Sequence, residues 1–528
     1  MIITSPYPDV AIPKVDITSY VLARAEELGD KPALIDGPTG RTITFAGLAK
    51  GIESVAAGLA VRGFAKGDVF AIYCPNVPEY AVAFHAVARL GGVNTTINPL
   101  YTAEELAFQL RDAGARFLLT IPQFLEKAAE AARTTGLEEI FVLGEAPGAT
   151  PFADLTAAHP APTVTTDLED VVVLPYSSGT TGLPKGVMLS HRNLVANIEQ
   201  CRPALNVDDT DTIIAVLPFY HIYGMQVIMN MAVSQGATVV TMPRFDMEEF
   251  LGLMQDHRVT AAYLVPPIVL GLTKLPVVDD YDLSALRLIM SGAAPLGGEL
   301  QEACAARLGC TVMQGYGLTE TSPVTHVVPP DSERNRPGSI GPTLPMTECR
   351  IVDSVTEEDM AVGEPGELWI RGPQVMQGYL NNPEATAASI DEAGWLHTGD
   401  LATVDADGWF TIVDRLKELI KYKGMQVAPA ELEALLLSNP AIADAAVIAS
   451  PDEEAGEVPK AFVVLRAEMT PSEIMEWVAS RVAPHKKIRR LEVVDEIPKS
   501  ASGKILRRIL VEKERAATGS SQTASAPR

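Results

Sequence analysis

Short apolar runs alternate with longer amphipathic stretches through the first half of the chain. Residues 69–74, 117–121 and 171–176 are continuous apolar runs bounded by polar turns, and they read as buried strands. Residues 44–62 and 78–90 carry apolar positions at helical spacing. The alternation resumes with strand patterns at 213–217, 238–242, 261–265 and 286–290, and a helical pattern at 246–257. This predicts an α/β fold: β-sheets covered by helices. Residues 1–40 read as an entry segment with one helix and a polar turn at Asp36-Gly37-Pro38. A Pro/Gly-rich loop at 334–341 precedes a more β-rich section with strands at 367–371 and 409–413. A boundary falls near 415–423, followed by helix (430–437), strands (446–449, 461–465) and helix (471–482). The expected domains are therefore a large N-terminal unit over 1–416, a small α+β unit over 417–515, and a small-residue polar tail without fixed structure over 516–528. No fixed-period repeat is visible.

Composition narrows the classes. A chain of 528 residues, 47% hydrophobic, has ample length for large cores. The net charge of −25 repels nucleic acid and anionic lipid, so neither is an expected partner. Five cysteines, at 74, 201, 304, 310 and 349, form no CxxC or Cys/His cluster, which supports neither a disulfide framework nor a zinc site. The first ten residues lack the basic and apolar regions of a signal peptide. The densest apolar run, 261–272, is too short to span a bilayer and contains Pro266 and Pro267. The chain ends in Ala-Pro-Arg, not a peroxisomal tail. A cytoplasmic protein without a membrane span is the expectation.

Candidate chemistry begins at Ser177-Ser178-Gly179-Thr180-Thr181-Gly182-Leu183-Pro184-Lys185-Gly186-Val187. Glycines let the backbone approach a ligand closely. Backbone N–H groups and the hydroxyls of Ser177, Ser178, Thr180 and Thr181 can surround an oxyanion, and Lys185 adds a mobile positive charge. These are the parts needed to hold a polyphosphate. The order is not a Walker A loop: Pro184 stands where a glycine is required, and no Ser or Thr follows Lys185. A polar hairpin between two strands is the plain alternative.

Other constellations lie far apart in the chain. In Gln314-Gly315-Tyr316-Gly317-Leu318-Thr319-Glu320, Tyr316 offers a flat face for a purine, Thr319 can donate to phosphate, and Glu320 is a hard oxygen ligand suited to Mg²⁺. Asp400, in Thr398-Gly399-Asp400, can accept from ribose hydroxyls, and Arg415 supplies a charged partner. Lys504, after the Ser/Gly turn of Pro498-Lys499-Ser500-Ala501-Ser502-Gly503, can reach another domain's cleft as a compact charge. Surface charges and turns account for each of these taken singly.

Together these motifs resemble the adenylate-forming superfamily of acyl- and aryl-CoA synthetases, firefly luciferases and peptide-synthetase adenylation domains. The segments Pro218-Phe219-Tyr220-His221-Ile222-Tyr223, Ser291-Gly292-Ala293-Ala294-Pro295-Leu296-Gly297 and Val413-Asp414-Arg415-Leu416-Lys417-Glu418-Leu419-Ile420-Lys421-Tyr422-Lys423-Gly424 are most similar to the 4-coumarate–CoA ligase branch. Luciferases usually carry a histidine where Tyr220 stands, and no carrier-protein segment follows the C-terminal unit.

The resemblance implies an ATP-, Mg²⁺- and coenzyme A-using acid–thiol ligase whose C-terminal domain is a mobile lid hinged at Lys417. It implies phosphate binding by Ser177, Ser178, Gly179, Thr180, Thr181 and Lys185. Adenine would be framed by Ala293, Gln314, Gly315 and Tyr316, phosphate met by Thr319, metal by Glu320, and ribose by Asp400 and Arg415. Lys504 would serve adenylation, with Lys421 and Gln426 near the nucleotide in one closed state. Arg244, Lys423 and Gly424 would meet CoA in the other. His221 would orient or gate beside an acyl pocket lined by Tyr220, Met290, Ala293, Met313, Pro323 and Val324. Plant ligases often have lysine at the position of Met290, glycine at Met313 and lysine at Arg244, so an apolar pocket for cinnamate-like or medium-chain acids is expected. A fatty acyl-CoA ligase and a non-catalytic nucleotide-binding protein remain the competing readings.

Overall fold

The computed structural model describes residues 1–157, 159–177, 184–330, 335–423, 425–452, 454–500 and 503–522, with side chains up to 515. Among the described residues the strands form four sheets. The first has eight strands, in the order Gly378–Tyr379, Lys185–Ser190, Val171–Ser177, Val93–Thr96, Val69–Tyr73, Ala115–Thr120, Glu139–Val142 and Thr150–Pro151. Its central strands are parallel, and Lys185–Ser190 folds back antiparallel on Val171–Ser177. The second also has eight strands, with Thr212–Ala215, Ala261–Leu264, Leu288–Ser291 and Thr311–Gly317 as neighbouring parallel members.

Most central parallel strands are apolar because helices cover both faces; Val93–Thr96 is an exception, with buried Asn94, Thr95 and Thr96. The helix Ala103–Ala113 shows how local sequence sets an element. Thr102 and Glu105 form a reciprocal capping box at its start, and Gly114 closes it at φ 66°. One large apolar cluster joins the facing sides of the two eight-stranded sheets with the helices between them. A second covers the outer face of the first sheet.

The third sheet has five strands, including Glu348–Val352, Gly366–Arg371, Leu396–Val404 and Phe410–Arg415, and matches the expected β-rich section. The fourth contains Ile420–Tyr422, Met425–Val427, Gly456–Leu465, Ile442–Asp452 and Arg490–Val493. Its long strand Ile442–Asp452 is buried on both faces. Ala445 and Val447 join the cluster under helices Pro429–Ser438 and Pro471–Ala479, while Ala446 and Ile448 join one that includes Leu510. Truncating a core residue such as Val447 costs about 2–4 kcal/mol.

The structure departs from the sequence pattern in three places. Residues 1–40 hold two short helices, Ile17–Val21 and Ala25–Leu28, because Leu22 to Arg24 break the run. Tyr223–Met231 is a wide π-helical turn, wholly buried, where no element was expected. The last helix, Arg507–Gln522, continues past 516 into the expected tail, where Ala516 and Ala517 are strong helix formers. Residues 523–528 lie outside the described residues. No helix among those described is long and apolar enough to cross a membrane, and all five cysteines are free and buried.

Candidate active site

In open parallel sheets, ligands bind beyond the C-terminal strand ends, where loops diverge. Here the ends of Val93–Thr96, Val171–Ser177, Leu288–Ser291 and Thr311–Gly317 open onto one cavity of about 550 Å³. Ser177, Lys185, Glu320, Arg415, Lys417 and Lys504 all line it.

At one end Lys185 opens the strand paired with Val171–Ser177, and its register places it opposite Ser177. The Ser177 hydroxyl donates to Glu320 Oε1 at 2.9 Å. Glu320 sits in the short turn Thr319–Thr321. Gly317 precedes that turn; a Cβ there would lie 2.0 Å from the Pro323 carbonyl oxygen, so only glycine fits. Tyr379 also donates to Glu320 Oε1, at 2.9 Å, and its ring lies under Lys185 Nζ at 4.3 Å from the centroid. Ser178, Gly179, Thr180 and Thr181 fall outside the described residues.

Along the wall, Tyr316 donates to Asp400 Oδ2 at 2.6 Å, and Arg415 Nε pairs with Asp400 Oδ1 at 3.2 Å. Asp400 and Arg415 are directly opposite each other on adjacent antiparallel strands; Arg415 lines the cavity, and Asp400 is buried behind it. Burial raises the Asp400 carboxyl above its ordinary range, against the pull of Arg415 and the Tyr316 hydroxyl. Thr398 and Gly399 form the surface in front of it.

Lys504 enters from the C-terminal unit. Its loop is closed by Lys504 N–H donating to Ser500 Oγ at 3.1 Å and Ser500 N–H donating to the Lys504 carbonyl at 2.8 Å. Gly503, at φ +75°, packs against Val265 and Pro267 of the large unit. Burial lowers Lys504 to about 8, with Arg415 adding to the effect and Asp400, Glu418 and Glu320 opposing it. His221 lies on the same cavity and is brought down to about 4 by burial and then by Lys504; its Nδ1 accepts from Tyr223 N–H at 3.3 Å, so the ring is neutral.

The acyl-pocket candidates divide. Tyr220, Met290, Ala293, Pro323 and Val324 line the cavity, as do Gly315, Tyr316 and Thr319. Met313 does not: it is wholly buried next to Met290 in the parallel register. Gln314 is also off the wall, because its side chain turns into the core to bond Leu296 N–H at 3.1 Å, the Leu296 carbonyl at 3.0 Å and Gln301 at 2.9 Å. Arg244, Lys421, Lys423 and Gln426 are exposed and away from the cavity; Lys421 pairs with Gln426 across an outer hairpin, and Lys423 bridges to Glu454 at 2.6 Å. Gly424 lies outside the described residues. Sequence reading missed Tyr379 and Tyr223. Tyr223 lines the cavity from the π-helical turn and donates to the Met290 carbonyl at 3.2 Å. Tyr379 stands in no segment singled out from the sequence, and Tyr223 ends the one that carries Tyr220 and His221 without chemistry that marks it.

The family model for AMP-binding enzymes matches residues 21–380, and that for the AMP-binding enzyme C-terminal domain matches 431–504. The chain belongs to the AMP-binding enzyme family. Among AMP-binding enzymes of curated function, it is 46% identical to a 4-coumarate–CoA ligase of Pinus taeda over 519 residues, 96% of each chain. It is 45% identical to 4-coumarate–CoA ligase 5 of Oryza sativa subsp. japonica, again over 96% of each. Among solved AMP-binding enzymes, the anthranilate CoA ligase AuaEII in complex with anthranoyl-AMP superposes with a TM-score of 0.90 at 28% identity, covering 96% of this chain and 99% of that one. A benzoate CoA ligase from Burkholderia xenovorans LB400 superposes at 0.84 with 26% identity, covering 94% and 99%.

Proposed function

We propose that this AMP-binding enzyme is an ATP-dependent acid–CoA ligase that forms an acyl-adenylate and then an acyl-CoA thioester on cinnamate- and 4-coumarate-type aryl acids. The observation that carries the reading is the convergence of Lys185, Glu320, Arg415 and Lys504 on one cavity, with Asp400 held against Arg415. A nucleotide-binding scaffold has no use for all five. The names of relatives at 43–46% identity support aryl acids as the substrate class.

In the first step a carboxylate oxygen attacks the α-phosphorus of ATP. The bond to the bridging oxygen breaks and pyrophosphate leaves. Lys185 and Ser177 stabilise the departing phosphates, and Lys504 screens charge at the reacting oxygens. Asp400, held by Arg415 and the Tyr316 hydroxyl, accepts from the ribose. Glu320 fits Mg²⁺, which keeps waters and is held by one or two carboxylates plus substrate phosphates; no group of three or more protein ligands is present among the described residues. When bound, the ion neutralises phosphate charge. In the second step the small unit turns about Lys417, withdraws Lys504, and brings Lys423 inward to meet CoA. The CoA sulfur attacks the acyl carbon, the thiol proton is released, and AMP departs. His221, neutral at working pH, orients the acyl group.

Exchange of labelled pyrophosphate into ATP should depend on added aryl acid; no exchange with any acid in an aryl and medium-chain panel would end the ligase reading. Met290 and Tyr223, beside Pro323 and Val324, make an apolar acid pocket, so cinnamate and 4-coumarate should turn over faster than caffeate. A marked preference for caffeate would count against this assignment. We also assign the enzyme to the cytoplasm, a reducing compartment that suits five unpaired buried thiols; cell fractionation checks it.

A further inference from the structure

The strand Gly378–Tyr379 is only two residues long, yet it ties together the two halves of the phosphate end. Val187 faces Tyr379 in the pairing with the Lys185 strand. Leu380 N–H donates to the Gly186 carbonyl at 2.8 Å, and Gln377 N–H to the Met188 carbonyl at 3.0 Å. On the other side, Met376 N–H donates to the Glu320 carbonyl at 2.9 Å. Tyr379 is 7% exposed, and its own N–H is taken by Thr386 Oγ1 at 2.9 Å, which fixes the side chain's origin. From there the ring lies 4.3 Å from Lys185 Nζ, and the hydroxyl reaches Glu320 Oε1 at 2.9 Å.

We propose that Tyr379 is a positioning residue for the nucleotide phosphates, holding Lys185 over its ring and Glu320 by its hydroxyl. This rests on the roles of Lys185 and Glu320 argued above. The chemistry of the phenol suits both tasks. An aromatic face attracts an ammonium through its quadrupole but uses up none of the three N–H donors and none of the charge. A carboxylate in the same place would pair with Lys185 and cancel the attraction for phosphate. The hydroxyl donates to the Glu320 carboxylate and so holds its orientation. Ser177 donates to the same oxygen, Oε1, which orients the carboxylate from two sides. A lysine on a flexible four-carbon stem and a glutamate in a turn, 135 positions apart in sequence, thereby reach the nucleotide already oriented.

The test uses the full chain and two variants. Calorimetry measures ATP binding in excess EDTA and again with Mg²⁺, beside thermal melting and the KM for acid. Tyr379→Phe keeps the ring and loses the hydroxyl. It should leave metal-free ATP affinity within about twofold of wild type and reduce the tightening produced by Mg²⁺ by about 3- to 10-fold. Tyr379→Leu loses both, and should also weaken metal-free ATP binding by about 3- to 10-fold. In both, the KM for acid should be unchanged. Wild-type affinities in both variants would overturn the proposal, as would a parallel loss of ATP binding, acid KM and melting temperature. Should Tyr379→Leu fail to fold, Tyr379→Phe still decides. An unmutated chain that binds no ATP would instead refute the reading of the site itself.

Discussion

The C-terminal unit carries two lysine-bearing loops with opposite surroundings. Lys504 projects into the cavity, lowered to about 8 by burial, and its loop is packed on Val265 and Pro267 of the large unit. Lys423 stands at the tip of a hairpin at φ +49°, exposed, bridged to Glu454 on the surface. The supports behind them differ as well. Three residues beyond Lys504, Arg507 is gripped by Glu433 at 2.6 Å and by Glu418, the residue after Lys417. One face of the small unit thus holds its charge in fixed geometry, and the other leaves its charge solvated. Under the proposed function the two loops would enter the cavity in turn, with Lys417 as the hinge.

The largest effect should come from removing the delivered charge. Lys504→Ala is expected to lower acid-dependent pyrophosphate exchange by about 10²–10³-fold and to spare thioester formation from supplied acyl-adenylate. Equal loss in both half-reactions would erase the distinction between the faces. Arg507→Gln breaks a partly buried ion pair and should cost the small unit about 3–5 kcal/mol in a thermal or denaturant melt. Exchange should fall about 10-fold in that variant, through loss of the Lys504 geometry, and Arg507→Lys should recover part of it. Lys423→Ala should raise the KM for CoA about 3- to 10-fold and leave exchange intact. Loss of exchange in that variant would put Lys423 on the wrong face.

The mildest perturbation is pH. Lys504 is charged below about 8 and neutral above it. Adenylation in the free enzyme's pH profile should therefore decline as pH rises through about 8, while the thioester step, with Lys504 withdrawn, should not follow. His221, brought to about 4, adds no inflection near neutrality. Glu454→Ala should change neither melting temperature nor exchange, since exposed ion pairs contribute little.

Much of this was legible along the chain. Strand runs such as 213–217 and 261–265 agree with the observed Thr212–Ala215 and Ala261–Leu264 within a few residues, because burial on both faces writes a continuous apolar run. Glu320, Arg415 and Lys504 stood out along the chain because each sits among glycines or charged residues, although a surface charge or a turn accounts for each taken singly. Gln314 and Met313 lie off the wall. They are consecutive in one strand and point to its opposite faces, and both faces are covered by packing from distant parts of the chain, which the sequence pattern does not show. The π-helical segment that brings Tyr223 to the wall was invisible, since it is buried all round, Gln226 and Asn230 included, and shows no polar outer face.

The chain by itself determined the order of its strands and helices, and it supplied a set of residues able to bind a nucleotide and move charge at a carboxylate. Those follow from local periodicity and from side-chain chemistry, which are properties of short segments. Only the folded molecule decided which of them meet. Ser177 touches Glu320 across 143 positions, and Tyr379 joins Lys185 to Glu320 from a strand of two residues. Contacts of that kind depend on how two sheets pack over a common cleft, a long-range outcome that no short window of sequence contains.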